Sequence, residues 1–211
     1  MMSKNEAEII KAKLLEHYKD AKSELQFTNL YELIVSVILS AQCTDKRVNL
    51  ITPALFAEYP DIISLANAPL HALKTFIASC SFYNNKAKNL IAMAQAVVQH
   101  HNGEIPLTRE ELMRLPGVGQ KTANVVLIEY CGANYLAVDT HVFRTSHRLG
   151  LSDAHNATKT EEELTEIFRD NLGALHQAFV LFGRYICKAQ KPLCETCFLA
   201  QYCKTNVSFK P

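Results

Sequence analysis

Apolar residues recur at three- and four-residue intervals along the whole chain, and no stretch alternates apolar and polar over a strand's length. Ile9, Ile10, Leu14 and Tyr18 fall near one face of a helix over residues 4–20, with Lys and Glu elsewhere. Leu30–Gln42 is apolar almost all round and predicts a buried central helix. Asp45 stands where it can cap a helix that runs to about Glu58 and stops before Pro60. Shorter helices follow at 61–66 and 69–79, then a longer one capped by Asn84 or Asn85 and ended before Asn102-Gly103. Thr108-Arg-Glu-Glu111 is a capping box, so a short helix starts there and carries Leu112 and Leu115 inward. Pro116, Gly117 and Gly119 form a tight turn, and Val125, Val126 and Leu127 mark the next helix. Beyond a break at Cys131-Gly132, Asp139 caps a helix to Leu149 with Gly150 as its stop. A second capping box, Thr160 to Glu163, begins a helix towards Asn171. The last helix starts near Ala174 and leads Phe179, Phe182, Tyr185 and Ile186 into a cysteine-rich tail. The fold class is all-α.

Composition narrows the picture. At 211 residues the chain buries a substantial core as one large or two small domains. No apolar run approaches the roughly 20 residues a membrane helix needs, and the N-terminus alternates charge instead of forming a signal peptide's apolar core. The expectation is a cytoplasmic protein without a membrane partner. The formal net charge of +1 does not announce a nucleic-acid binder. Charge is nevertheless segregated: Arg184, Lys188, Lys191, Lys204 and Lys210 face a single acidic residue, Glu195, from position 184 to the end.

Four of the seven cysteines, Cys187, Cys194, Cys197 and Cys203, fall within one short C-terminal stretch. In a chain of this kind they are not read as disulfides. Four thiolates so close can wrap tetrahedral zinc or an iron–sulfur cluster. Zinc sites usually pair two short knuckles, and the gaps of six and five residues that flank Cys194-x2-Cys197 suit the wider cluster better. The turn at Gly117, Val118 and Gly119 offers backbone amides with few side chains in the way, at a helix start that favours an anion such as phosphate.

These features occur together. The turn with its two helices, about 108–127, resembles the helix-hairpin-helix motif of DNA-repair proteins, and the cysteine spacing resembles the [4Fe-4S] loop of the endonuclease III family of DNA glycosylases. The resemblance extends through Leu33–Asp45 (L-I-V-S-V-I-L-S-A-Q-C-T-D), Tyr83–Ala87 (Y-N-N-K-A), Ala137–Arg144 (A-V-D-T-H-V-F-R) and Gly183–Cys187 (G-R-Y-I-C). It covers nearly the whole chain, and the length is similar to minimal bacterial members. It implies a [4Fe-4S] cluster on Cys187, Cys194, Cys197 and Cys203. Four thiolates and a 2+ core add −2 and take the formal charge from +1 to −1, so the cluster is no source of DNA attraction. Its implied role is to shape the basic loop Lys188–Leu193, whose Lys191 faces phosphates. Leu193 is apolar where some relatives carry a basic residue.

The resemblance further implies a bifunctional DNA glycosylase and abasic-site lyase, working as a monomer on double-stranded DNA with oxidised pyrimidines or abasic sites. Such chemistry needs a nucleophile at C1′ and stabilisation of a positively charged sugar, and an amine allows β-elimination through its Schiff base. Lys121 is the implied amine: the first turn of a helix disfavours an ammonium, and burial acts in the same direction. Asp139 is the implied acidic partner, as proton acceptor or as a fixed negative charge, and its capping amides keep it ionised. Base flipping leaves a hole to be filled. The implied fillers are Gln42, which otherwise reads as a polar helix end, and Phe82, which otherwise reads as core. His141 lies two residues after Asp139, and Cys43, Cys80 and Cys131 read as buried small hydrophobes.

Three rivals remain: a monofunctional adenine or mismatch glycosylase, a non-catalytic DNA-binding module, and an iron–sulfur electron carrier. Lys121 argues against the first, as does the end of the chain at Pro211, which leaves no room for a further recognition domain. The expected architecture is a bundle of residues 23–132 with the hairpin, and a cluster lobe of residues 1–22 plus 133–211. A cleft between them would collect Lys121 from one lobe and Asp139 from the other. Gripping phosphate at the glycines and aiming Lys121 then become one geometric act.

Overall fold

The computed structural model describes residues 2–205, and every regular element among them is helical. Two compact units emerge: one of Ser23–Cys131, the other drawn from the described parts of Met1–Lys22 and Gly132–Pro211. Each owes its shape to one very apolar helix with amphipathic helices packed round it.

In the first unit that helix is α2, Leu30–Ser40, where Leu33, Ile34, Val35 and Leu39 are wholly buried. Around it stand α3 (Asp45–Glu58), α4 (Ile62–Ala66), α5 (Leu70–Ile77), α6 (Tyr83–His100), α7 (Arg109–Leu112) and α8 (Gln120–Cys131). Helices α3, α6 and α8 pack on α2, while α4 and α5 pack on α6. The Tyr31 hydroxyl donates to the Tyr59 carbonyl at 2.7 Å, joining α2 to the end of α3.

Two helix starts and one helix end in this unit differ from the sequence expectation. Helix α3 is capped by Thr44, whose hydroxyl accepts from the Arg47 amide, and Asp45 sits in the first turn. Helix α6 begins at Tyr83 with Phe82 at its cap in the left-handed conformation, φ 56°, so neither Asn84 nor Asn85 caps it. Helix α2 ends at Ser40, two residues short of Gln42, which is exposed and left-handed with φ 53°.

The second unit is built on α11, Leu172–Tyr185, with Leu175, Ala178 and Phe179 wholly buried. Helices α1 (Lys4–His17) and α9 (Thr140–Leu149) pack on it, and α10 (Ala157–Phe168) packs on α1. Burying Lys11 on α1 demands partners. Its ammonium donates to the Phe168 carbonyl at 3.1 Å and pairs with Asp170. The N-terminal helix is thereby fastened to segments over 150 positions away. Helix α10 starts earlier than its Thr160–Glu163 pattern suggested, because Asn156 accepts from the Lys159 amide at 2.9 Å. Thr160 is wholly buried and bonds back to the Asn156 carbonyl, while Glu163 accepts from Ser152. Helix α11 starts at Leu172, its amide held by the Asn134 side chain at 2.9 Å. No helix among the described residues is long and apolar enough to cross a membrane.

Candidate functional site

The hairpin is assembled from inside. Thr108 caps α7, accepting from the Glu111 amide at 3.3 Å and donating to its carboxylate at 2.6 Å. The Leu115 amide donates to Leu112 and the Val118 amide to Leu115, both at 3.1 Å, and all three side chains are buried. Val118 therefore supports the turn from within, its amide committed to the protein. Gly117 has φ 78°, and a Cβ there would lie 2.8 Å from the Asn89 Cβ. Gly119 differs: its φ is ordinary and a Cβ would meet nothing within 4 Å. It stands just before α8 and has no side-chain acceptor for the first-turn amides. Lys121, half-buried, is the second residue of that helix.

A second feature of the same unit is a pair of adjoining loops. Gln42 is exposed at the tip of one, and Phe82 is 62% exposed at the tip of the other. Neither is the helix end or core residue that the plain reading of the sequence offered. Each holds a left-handed backbone, which costs a non-glycine residue roughly 1–2 kcal/mol, so the surroundings must enforce it. The buried ammonium of Lys86 is one such restraint, donating to the Leu39 carbonyl at 2.8 Å and the Ala41 carbonyl at 2.6 Å. Burial lowers its pKa, against the opposing pull of the Cys80 and Cys43 sulfurs. Beneath the loops those sulfurs lie 3.4 Å apart.

In the second unit, Asp139 caps α9 with one carboxylate oxygen, accepting from the His141 and Val142 amides at 2.8 Å each. The carboxylate is half-exposed. Burial lowers the pKa of His141, outweighing the nearby Asp139 charge, and Arg144 and Arg184 act in the same direction as burial. Helices α9 and α11 approach so closely at Gly183 that a Cβ there would lie 2.8 Å from the His141 Cβ.

Cys187, Cys194, Cys197 and Cys203 all line one apolar pocket with Leu149, Phe182 and Ile186. Burial raises the Cys194 and Cys197 thiols, and the neighbouring sulfurs push the same way. Four thiolates sharing this pocket therefore need a positively charged group among them, which an iron–sulfur core supplies. The donors fit that group. Arginines hold the surrounding chain: Arg144 donates to the Gly183 carbonyl at 2.8 Å and to Cys187 at 3.1 and 3.2 Å. Arg148 donates to Lys188 at 2.7 Å and Ala189 at 3.1 Å, and approaches the Cys187 sulfur at 3.5 Å. Arg148 escaped the sequence reading, although its four-residue spacing from Arg144 puts both on one face of α9.

The loop so held presents Lys188 and Lys191 to solvent, Lys191 at φ 49°, beside Leu193, which is 46% exposed. Lys210, counted with the basic tail, lies outside the described residues. Two cysteines depart from expectation. Cys131 is exposed at the end of α8, and Cys43 is only half-buried, whereas Cys80 is buried.

The family described as HhH-GPD superfamily base excision DNA repair protein matches residues 35–170, and the iron-sulfur binding domain of endonuclease III matches residues 187–203. The endonuclease III of Rickettsia conorii is 43% identical over 190 residues, covering 90% of each chain. That of Bacillus subtilis is 38% identical over 206 residues, covering 97% of this chain and 94% of its own. A solved structure of a trapped endonuclease III–DNA covalent intermediate superposes with a TM-score of 0.95 at 39% identity, covering 99% of both chains.

Proposed function

Because the chain belongs to the endonuclease III family of HhH-GPD base excision DNA repair proteins, we propose that it is a bifunctional DNA glycosylase and abasic-site lyase. Its substrates are oxidised pyrimidines in duplex DNA, which it serves as a monomer in the cytoplasm. The observation that carries this reading is Lys121, half-buried in the first turn of α8 and two residues after a glycine whose face is open.

The neutral amine of Lys121 attacks C1′ of the damaged nucleotide, and the glycosidic bonding pair leaves with the base, which takes up a proton. Opening of the sugar gives a protonated Schiff base. Loss of a C2′ proton then expels the 3′ phosphate, and water later releases the lysine. Asp139 supplies the negative charge that favours the cationic sugar, and its two amide partners hold the carboxylate in place. Gly117 and Gly119 let the backbone approach a phosphate, with the start of α8 as the anion-binding end. Gln42 and Phe82, fixed and exposed, enter the duplex beside the flipped nucleotide.

Cys187, Cys194, Cys197 and Cys203 would hold the [4Fe-4S] cluster, whose 2+ core, bonded to all four thiolates, would cross-link the C-terminal loop. With Arg144 and Arg148 it sets the loop that brings Lys191 to phosphate. Ser23–Cys131 is the hairpin domain, and the described parts of Met1–Lys22 and Gly132–Pro211 are the cluster domain. A nicking assay on a thymine-glycol duplex tests the reading. Strand cleavage 3′ to the lesion is expected, and binding without cleavage would leave a non-catalytic DNA-binding module.

A further inference from the structure

We propose that Cys43 and Cys80 form a reversible disulfide that couples the two loops carrying Gln42 and Phe82 to the oxidative state of the cell. The sulfurs lie 3.4 Å apart, although the residues are 37 positions apart in the chain. A disulfide of about 2.05 Å needs them to close by roughly 1.4 Å, a distance within reach of side-chain rotation and slight loop movement. Each cysteine sits on a short turn, not inside a helix: the Cys43 amide donates to Ser40 at 3.0 Å and the Cys80 amide to Ile77 at 2.9 Å.

The two sulfurs have different environments, and that difference assigns their roles. Cys43 is half-exposed, so a small oxidant reaches it first, while Cys80 is only 3% exposed. Burial and the Cys43 sulfur push the Cys80 thiol up to about 12, against Arg47 and Lys86, which pull it down. The oxidant is a hydroperoxide. The Cys43 sulfur attacks one peroxide oxygen, the O–O bond breaks, and a sulfenic acid and one water result. The Cys80 sulfur then attacks the Cys43 sulfur. The S–O bond breaks, and the departing hydroxide takes the Cys80 proton to leave as a second water. Two thiols lose two electrons in total, and one hydrogen peroxide gains them. A dithiol reductant reverses the step by exchange.

The consequence follows from position. Cys43 adjoins Gln42, and Cys80 is two residues before Phe82. Closing the sulfurs draws the two tips together and removes their independent movement when a duplex must be wedged open. Displacements near 1 Å at a reacting geometry can cost about 10² in rate. This consequence rests on the proposed duplex-probing role of Gln42 and Phe82, whereas the cross-link itself does not.

The test uses the iron-loaded protein treated with hydrogen peroxide, alkylated under denaturing conditions and digested with trypsin. Peptides 23–46 and 75–86 are expected to appear joined and two hydrogens lighter than their sum. Nicking is expected to fall at least tenfold and to recover with dithiothreitol. Cys80→Ala should lose the joined peptide and keep its activity after the same treatment, which separates the switch from damage to the cluster. Oxidation of Cys43 to sulfinic or sulfonic acid without any joined peptide would overturn the disulfide. A joined peptide with unchanged nicking would overturn the switch. A reduced protein that never nicks would count against the enzymatic reading, leaving the peptide result to be judged alone.

Discussion

Two glycines of one turn should respond oppositely to the same substitution. At Gly117, alanine would hold φ at 78°, which costs roughly 1–2 kcal/mol, and would press its Cβ to 2.8 Å from the Asn89 Cβ. Forcing an extra methyl into such a contact costs about 1–3 kcal/mol. The sum is roughly 2–5 kcal/mol, which for a chain of this size lowers the melting temperature by about 4–20 °C. At Gly119 the backbone is ordinary and the space is open, so alanine is neutral or stabilising by up to about 1 kcal/mol. Its methyl would stand where a phosphate is proposed to approach. Gly119→Ala should therefore melt no lower than the parent and bind an abasic duplex more weakly, with a smaller salt dependence. Thermal denaturation and binding titrations at two salt concentrations read both effects. Gly119→Ala with full affinity would refute the phosphate role, and Gly117→Ala with unchanged melting would refute the packing argument.

Asparagine caps helices as well as aspartate does, so Asp139→Asn should melt like the parent yet lose about 10²–10³ in single-turnover cleavage. Asp139→Ala should lose about 1 kcal/mol of stability as well. Purified protein should be brown with about four irons per chain, measured by absorbance and iron assay, and colourless zinc-loaded protein would contradict the cluster. Lys11→Met removes one of the two donors to the buried Phe168 carbonyl, the Asp170 amide remaining, and should destabilise by about 0.5–1.5 kcal/mol. Asp170, whose pKa Lys11 lowers in the fold, gives stability that is present above the ordinary carboxylate range and lost as pH falls through its folded value. Denaturant titrations across that range should show this acid sensitivity shrink in Lys11→Met.

What the sequence discloses depends on whether a residue's job is local. The apolar run of α2 shows its burial directly, because no polar face interrupts it. Asp139 stands before an amphipathic run and caps it as its spacing implies. Thr160 misleads because the capping pattern recurs within a helix that Asn156 has already begun. Gln42 and Phe82 take left-handed backbones enforced by Lys86 and by contacts between distant segments, which no single stretch reveals. Arg148 is silent for the same reason: its partners, the Lys188 and Ala189 carbonyls, are about 40 residues away. Cys131 shows the converse error, since a small apolar residue at a helix end need not face inward.

The central claim is that Lys121 bonds covalently to the sugar, and borohydride trapping on an abasic or thymine-glycol duplex tests it most directly. Reduction fixes the Schiff base, so the parent should give an enzyme–DNA adduct whose cross-linked peptide contains Lys121. Lys121→Gln, folded and still able to bind the duplex, should give none. An adduct of undiminished yield in Lys121→Gln would place the nucleophile elsewhere and contradict the account.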